Sequence, residues 1–589
     1  MYRVFDVETT GFDYYGSDTI FSFVITDLRG NSNIYRLDGK RNYNAKEAEK
    51  VLIAFWLDPS IKKIMHNAKF DLSFVIVYLK KKKIKIPRNT VIHDTMMMSR
   101  LLKNLAPSHK LDYLCWEYAG ISNKLDKLVK SQADAVGGFQ NIPVHTMDKY
   151  QNSDGERGAL LFLTFWPYIW TNKKLHKDYL VEIELIWVTQ RIEEHGILVD
   201  KKNCKKLINW LLDELDNTRD DVRNLMGEFI NLNSGISVAR ILYKQLGLPV
   251  LKLTDTGGPS TDKDTLAQLR EEHDHPILDL IIKTRSYTNG ISMIKSYLKF
   301  ADSKGYIHPN INTNPAKTGR ESSHNPNLLN VSKTEALLNL FPVPARKAFC
   351  APPDSVLFLG DYSGIELRLI IELCNDTELL DMISQNIDVH DVFCQYWFHA
   401  LGYKNLKDKI QKKIFRGAGK NGNFALAYGA AVYKLAVTLG LSLSEAIEGY
   451  KRICDRFPKI AYFTKNLVQV IRDQGYVTTP FGRKLYIPPD KIFSGSNYLV
   501  QGTAAGIIKR AQNKVDKYCR IVVKDDVRIV IPIYDELILK YRKKLLNKKN
   551  RVLTDISRLM TNIPEIKVKL NVDWKMTETD WASAKEVAI

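Results

Sequence analysis

The sequence predicts a multidomain fold, an α/β unit followed by a larger α+β unit. Three observations point there. The chain has 589 residues, roughly three to five domains at typical size. "YRVFDVETTG" near the N-terminus reads as a strand, and apolar helical runs such as the one in "IMHNAKFDLSFV" follow it. In the second half, a buried-strand run at 356–359 and β-rich runs on both sides of 534–536 are separated by helical stretches. Hydrophobic content of 45% is ordinary, so the chain can bury substantial cores.

Lys and Arg number 86 against 66 Asp and Glu, a formal net charge of +20 spread along the chain rather than gathered in a tail. Such a surface attracts polyanions, of which nucleic acid is the commonest. Charge alone leaves a basic, unspecific protein open. The seven cysteines form no C-x-x-C pair and no zinc spacing, which predicts a reduced, cytoplasmic chain. "MYRVFDVETTGFD" carries acids where a signal peptide would be apolar, and no apolar run reaches membrane-spanning length. There is no internal repeat and no low-complexity tract.

The first strand carries Asp6 and Glu8 two positions apart, so both carboxylates emerge on one face. A cation between them would resolve their repulsion. "IMHNAKFDLSFV" places Asn67 and Asp71 ahead of an apolar helical run, and "DKYQNSDGERGALLFL" puts Tyr150 and Asp154 on one helical face. One acid pair is commonly a surface accident. Four separately placed acids and a tyrosine fit a two-metal hydrolytic site better.

A second set of acids lies in the C-terminal half. Asp361 falls at the end of the strand in "SVLFLGDYSGIELRLIIEL", where a carboxylate can hold a metal without uncompensated burial, and a helix with Glu366 and Arg368 follows. "VRIVIPIYDELILKYRKK" reads as a hairpin with Asp535 and Glu536 at its turn. Between them stands "RGAGKNGNFALAYG", which contains G-x-G-x-x-G at Gly417, Gly419 and Gly422. The preceding "KNLKDKIQKKIF" is basic and lacks the strand that a dinucleotide cradle needs. A different spacing fits better: Arg416, Lys420, Phe424 and Tyr428 recur every four residues, on one helical face. Two cations followed by two aromatics suggest a surface for phosphates and then a flat ring; a solvated basic helix with two core aromatics is the bland alternative. Each glycine weakens that helix by about 0.5–1 kcal/mol, as in a helix that moves.

These motifs carry two resemblances. Asp6, Glu8, Asp71, Tyr150 and Asp154, with "HDTMMMSRLL" (Asp94) and "HKLDYLCWEYAGI", resemble the DEDD 3′–5′ exonucleases whose third motif is Y-x-x-x-D. "DYSGIELR", "RGAGKNGNFALAYG" and "YDE" resemble motifs A, B and C of family A DNA polymerases. "TGRESSHNPNLLN", "ARKAFCAP", "DVHDVF", "GYVTTPFGRKLYIP" and "NYLVQGTAAGIIK" fit in the same order, and "EEHGILVD" with "LNSGISVARILYKQLGLPV" resembles the family's thumb. The resemblance implies an RNase H-like exonuclease domain over 1–175 and a right-hand polymerase. Thumb and connecting helices would occupy 176–310, the first part of the palm 311–395, the fingers 396–490 and the second part of the palm 491–589. It implies two Mg2+ in each site, with Mn2+ as a substitute. In the exonuclease, Asp6, Glu8, Asp71 and Asp154 would ligate metal and Tyr150 would orient the attacking water. In the polymerase, Asp361, Tyr362 and Asp535 would hold metal, with Glu536 in support. Arg416 and Lys420 would grip the triphosphate of a dNTP, assisted by His390, with Lys420 as proton donor to the leaving group. Phe424 and Tyr428 would pack on sugar and base, and Glu366 with Tyr428 would block a ribose hydroxyl. Arg320, Asn327, Asn330, Asn497 and Gln501 are candidates for minor-groove contacts with primer-template DNA.

The chain departs from the family's usual residues at Gly364, Tyr534, Phe493 and Gly506, none of them a metal ligand. The first exonuclease acid is the sixth residue, so no 5′-nuclease domain is expected; the layout resembles phage replicative polymerases and implies phage or virus genome replication in a host cytoplasm. No large thumb insertion of the type that binds a host processivity factor is evident, so thioredoxin is not inferred as a partner; replisome proteins such as a helicase or a processivity factor are expected partners of unidentified kind. The expected activity is template-directed DNA polymerisation with 3′–5′ proofreading. The rivals are a single-subunit RNA polymerase, opposed by Glu366 and the fused exonuclease, an exonuclease whose polymerase half only holds DNA, and a non-catalytic DNA-binding scaffold.

Overall fold

Alternation along "YRVFDVET" turns Phe5 and Val7 into a core and leaves Asp6 and Glu8 on the other face of strand β1 (Tyr2–Thr9). A computed structural model of the chain describes residues 1–40, 43–87, 89–122, 125–331 and 342–589. With β2 (Ile20–Thr26), β3 (Ser32–Arg36), β4 (Lys62–Met65) and β5 (Ile92–Asp94), β1 forms a mixed sheet ordered β3-β2-β1-β4-β5. β1 runs antiparallel to β2 and parallel to β4. Helices α1 (Ala45–Leu57), α2 (Ala68–Lys81), α3 (Thr95–Leu102), α4 (Leu111–Ala119), α5 (Leu125–Val136) and α6 (Val144–Thr171) accompany this sheet. Phe5, Phe23, Trp56, Ile64 and Phe162 sit in the core between them.

α7 (Lys173–His195) is apolar on more than one face and serves two cores. Tyr179, Ile183 and Ile186 pack into the N-terminal core, while Leu185, Val188 and Ile192 pack with the C-terminal sheet. The junction is also polar. Lys69 of α2 pairs with the fully buried Glu193 of α7 and donates to Asn310 Oδ1 at 2.8 Å and to Ile311 O at 2.6 Å. A buried charge of this kind is tolerated only with such complete pairing.

Past α7, β6 (Ile197–Leu198) pairs with β7 (Tyr306–Ile307) at the base of an arm. The arm comprises α8 (Lys201–Met226), α9 (Gly235–Ala239), α10 (Lys263–Glu272) and α11 (Pro276–Phe300), and has a small core of its own around Leu242, Leu269 and Ile281. β8 (Asn310–Asn312) and β9 (Ser322–His324) form a short antiparallel pair. β10 (Ser355–Tyr362) then opens the main sheet, with all but one of its residues buried. Helices α12 (Ile365–Cys374), α13 (Thr377–Ser384), α14 (Val389–Trp397), α15 (Lys409–Ala427), α16 (Val432–Leu439), α17 (Leu443–Arg456) and α18 (Pro458–Gln474) follow, then a hairpin of β11 (Tyr476–Thr478) and β12 (Lys484–Tyr486). Asp388 and Asp408 cap α14 and α15 through their side chains, as short acids at N-caps do.

The long α19 (Gly495–Ile521), β13 (Val527–Ile533), β14 (Glu536–Arg542), α20 (Lys549–Thr561), β15 (Val572–Thr577) and β16 (Lys585–Glu586) complete the chain. The main sheet is antiparallel throughout and ordered β13-β14-β10-β15-β16, so β10 lies in the middle. The fold is therefore an α/β unit followed by an α+β unit. Two glycines of α15 have a packing role: a Cβ at Gly419 would collide with Cys394 Sγ, and one at Gly422 with Leu439. Among the described residues no helix is long and apolar enough to cross a membrane.

Candidate active sites

At the edge of β1, ligand oxygens from Asp6, Glu8 and Asp154 lie within 4.8 Å of one another. α6 supplies Asp154 and, one turn earlier, Tyr150. Asp71 comes from the first turn of α2, inside the helix rather than ahead of it, and its Oδ1 accepts from Val7 N at 3.0 Å, between the two β1 acids. Burial, and after it the neighbouring acids, hold the carboxyls of Asp6, Glu8 and Asp71 well above the usual carboxylate range. Burial pushes Asp154 up to about 6, against the pull of Arg157. The Tyr150 phenol is likewise raised by burial and by these acids.

Arg157, one turn beyond Asp154, escaped the sequence reading. Its nearly buried guanidinium pairs with Asp154 and Asp112, and with Asp126 at 3.3 Å. Asp94 does not join the acid cluster. Its side chain caps α3 and accepts from Asn67 N at 3.1 Å and Ala68 N at 2.9 Å, anchoring the start of the helix that carries Asp71. A crowded, all-oxygen, anionic donor set of this kind suits a hard divalent cation.

The second site is built on β10. Its register sets Asp361 directly opposite Glu536 of β14. Ile533 pairs with Glu536, so Tyr534 and Asp535 form a two-residue turn, with Tyr534 at φ 53. Tyr362 N donates to Asp535 O at 3.1 Å, which brings the Asp361 and Asp535 segments side by side. Like charges directly opposed across strands repel, and a cation relieves them. The Tyr362 side chain takes no part: its hydroxyl donates to Met560 O at 2.7 Å within the core, so the backbone carbonyl is the oxygen it can offer. Arg346, stacked 4.2 Å from the Trp581 ring centroid, stands 3.5 Å from Glu536.

Glu366, at the start of α12, is gripped from both sides. Tyr428 Oη and Arg320 Nη2 each donate to it at 2.7 Å. Arg320 also lies over the Tyr534 ring at 5.5 Å, and Tyr534 donates to Asn330. Arg320, Glu366, Tyr534 and Asp535 line one cavity of about 260 Å³. A second cavity, of about 310 Å³, is lined by Arg416, Lys420 and His390. Burial lowers the His390 imidazole to about 4, and its ring meets Phe424 edge-on at 5.6 Å. Phe424 and Tyr428 lie 6.4 Å apart, their planes 17° from parallel. Tyr428 is the residue that ends α15 rather than part of the helix. Arg416 is paired with Asp388 at 2.5 Å, a half-exposed bond that an incoming anion can displace at little cost. Asn497 and Gln501 lie one turn apart on α19, and Ser323 Oγ donates to Asn327 at 3.4 Å.

A five-stranded antiparallel sheet thus carries opposed acids on its central strand, near a cavity lined by His390 of α14 and the cations of α15, and a separate acid cluster lies on β1 and α6. The chain belongs to DNA polymerase family A, whose model matches residues 201–583, and a 3′–5′ exonuclease model matches residues 4–170. It is similar to DNA polymerase I of Pseudomonas aeruginosa, 30% identical over 504 residues that cover 83% of this chain and 54% of the relative. It is also similar to the thermostable DNA polymerase I of Thermus aquaticus, 30% identical over 73% of this chain and 52% of that one. The chain thus spans about half the length of these curated relatives. A solved structure described as the POL domain of Pol1 from M. smegmatis in complex with DNA primer-template and dNTP shares the fold, with a TM-score of 0.80 over 99% of this chain and 96% of that one at 23% identity.

Proposed function

We propose that this chain is a template-directed DNA polymerase that adds dNTPs to a primer 3′-hydroxyl and proofreads with a 3′–5′ exonuclease. What supports the reading above all is the adjacency of Asp361 and Asp535, distant in sequence, in a sheet whose neighbouring cavity carries Lys420, Arg416 and His390. Residues 1–175 would be the exonuclease, 176–310 the thumb and connecting helices, 311–395 and 491–589 the palm, and 396–490 the fingers.

Asp361, Asp535 and the Tyr362 carbonyl would hold two Mg2+, and Asp6, Glu8, Asp71 and Asp154 would hold two more, with Mn2+ as a substitute. Bound there, the cations would acidify the attacking hydroxyl or water and offset charge at phosphorus. Glu536, steadied by Arg346, keeps the palm acids in register. Arg416 and Lys420 bind the triphosphate, and Lys420 returns a proton to the departing pyrophosphate. Phe424 and Tyr428 pack on the sugar and base, while Glu366 fills the space beside the sugar's 2′ position. Arg320, Asn327, Asn330, Asn497 and Gln501 touch the minor groove, where shared acceptors report pair shape without sequence. Tyr150 orients water in the exonuclease.

Primer extension on a defined template tests this. Extension with dNTPs but not NTPs, and shortening of the primer when dNTPs are withheld, are expected. Extension with NTPs instead would favour an RNA polymerase, and degradation without extension would leave only the nuclease.

A further inference from the structure

Asp573 has no place in the sequence reading, yet the main sheet sets it directly across from Asp361. β15 pairs with β10 so that Asp573 opposes Asp361 on the side away from Glu536. Directly opposed residues project from the same face with Cβ atoms about 4.5–5.5 Å apart, where like charges are destabilising. Glu536 has Arg346 at 3.5 Å to offset its charge. Asp573 accepts a hydrogen bond from a hydroxyl: Ser363 Oγ donates to its Oδ2 at 2.5 Å. Arg368 interacts electrostatically with Asp573, but its Nε and Nη1 donate to backbone, to Ser363 O at 2.8 Å and Lys569 O at 2.6 Å.

The carboxylate shares the 310 Å³ cavity with Arg416, Lys420 and His390. His390 is 7% exposed, and its Nε2 meets no hydrogen-bond partner among the described residues. That nitrogen faces Gly364, where a Cβ would stand 4.0 Å from it, so the side of the cavity that a longer residue would fill is open. The α14–α15 side thus offers Lys420, and Arg416 once an incoming anion displaces Asp388, while the sheet side presents Asp573 with Arg368 beside it. A bare polyphosphate satisfies the first and is repelled by Asp573 on the second. A polyphosphate carrying a divalent cation satisfies both.

We propose that Asp573 is a cation-binding residue of the polymerase site, turned toward the divalent ion that arrives with the triphosphate, in addition to Asp361 and Asp535. The inference rests on the polymerase reading above. Its test is the Mn2+ taken up, read by electron paramagnetic resonance, when dNTP is added to protein in an Asp6→Ala background, which silences primer degradation, bound to a chain-terminated primer-template, so that no chemistry occurs. Asp573→Asn, which still accepts from Ser363, should weaken that Mn2+ about 10-fold, the lower end of what losing a metal-site partner costs. The Mg2+ half-saturation of primer extension should rise in parallel, Asp573→Glu should restore both, and exonuclease activity, measured with Asp6 intact, should not change. Mn2+ affinity within about twofold of wild type in the Asp573→Asn protein overturns the inference while leaving the polymerase reading in place. Wild-type protein that takes up dNTP-dependent Mn2+ but never extends a primer overturns the polymerase reading instead.

Discussion

Glu366→Ala is the substitution on which the selectivity reading turns. Tyr428 and Arg320 hold the Glu366 carboxylate at 2.7 Å from opposite partners. Hydrogen bonds to a charged group contribute about 1.5–3 kcal/mol each, so the side chain cannot swing aside cheaply. Forcing an extra group into a packed site costs typically about 1–3 kcal/mol. At about 1.4 kcal/mol per tenfold, a fixed Glu366 would therefore disfavour a ribose hydroxyl by roughly 5- to 150-fold. Truncation to Ala should lower the dNTP/NTP preference by about 10- to 100-fold. Glu366→Gln, which keeps the volume, should retain most of it, and Tyr428→Phe, which releases one side, should fall between. The assay is single-turnover incorporation of dCTP and CTP opposite a template G, compared as rate over affinity. A Glu366→Ala ratio within about twofold of wild type would refute the steric role.

Phe424→Tyr adds a hydroxyl on the face that carries Lys420. If it replaces the contact a missing 3′-hydroxyl would make, dideoxynucleotide use improves by roughly 2- to 10-fold, measured against the matching dNTP. Asp6→Ala should reduce primer degradation by about a thousandfold or more while leaving extension intact; parallel loss of both activities would contradict two separate sites. Burial holds the Glu321 carboxyl up at about 7, beside Gln512, whose Nε2 donates to it at 2.6 Å. Its folded value exceeds its unfolded one, so its stabilising contribution is complete below about pH 4 and is lost as pH rises through 7. Glu321→Gln should thus raise Tm at pH 8.5, by an amount worth roughly 1–3 kcal/mol, and the gain should shrink toward pH 4; a gain independent of pH would contradict the assignment.

Local pattern made the acid-bearing elements readable. Asp6 and Glu8 share a face because a strand alternates, and Tyr150 and Asp154 share one because a helix repeats. The run around 356–359 is buried because β10 is central, and the hairpin at 534–536 follows from two β-rich runs around a tight turn. What was hidden depends on cross-strand register and domain contact. Asp573 reads as a surface acid until β15 is set against β10. Arg157 looks like one more basic residue until Asp112 and Asp126 close on it. The Lys69–Glu193 pair joins segments more than a hundred residues apart, and no local period announces it. Asp94 stood out beside a catalytic motif, but its oxygens are committed to capping. The α15 glycines suggested motion from propensity alone; the side chains of Cys394 and Leu439, packed on Gly419 and Gly422, give a further reason for the missing side chains at those two positions.

The most direct test is primer extension by wild-type, Asp361→Asn and Asp535→Asn proteins, each in an Asp6→Ala background that silences degradation. Either neutralised carboxylate should lower nucleotide addition by about a thousandfold or more with DNA binding preserved. Near-normal extension by either variant would contradict the pairing of these two acids around shared cations.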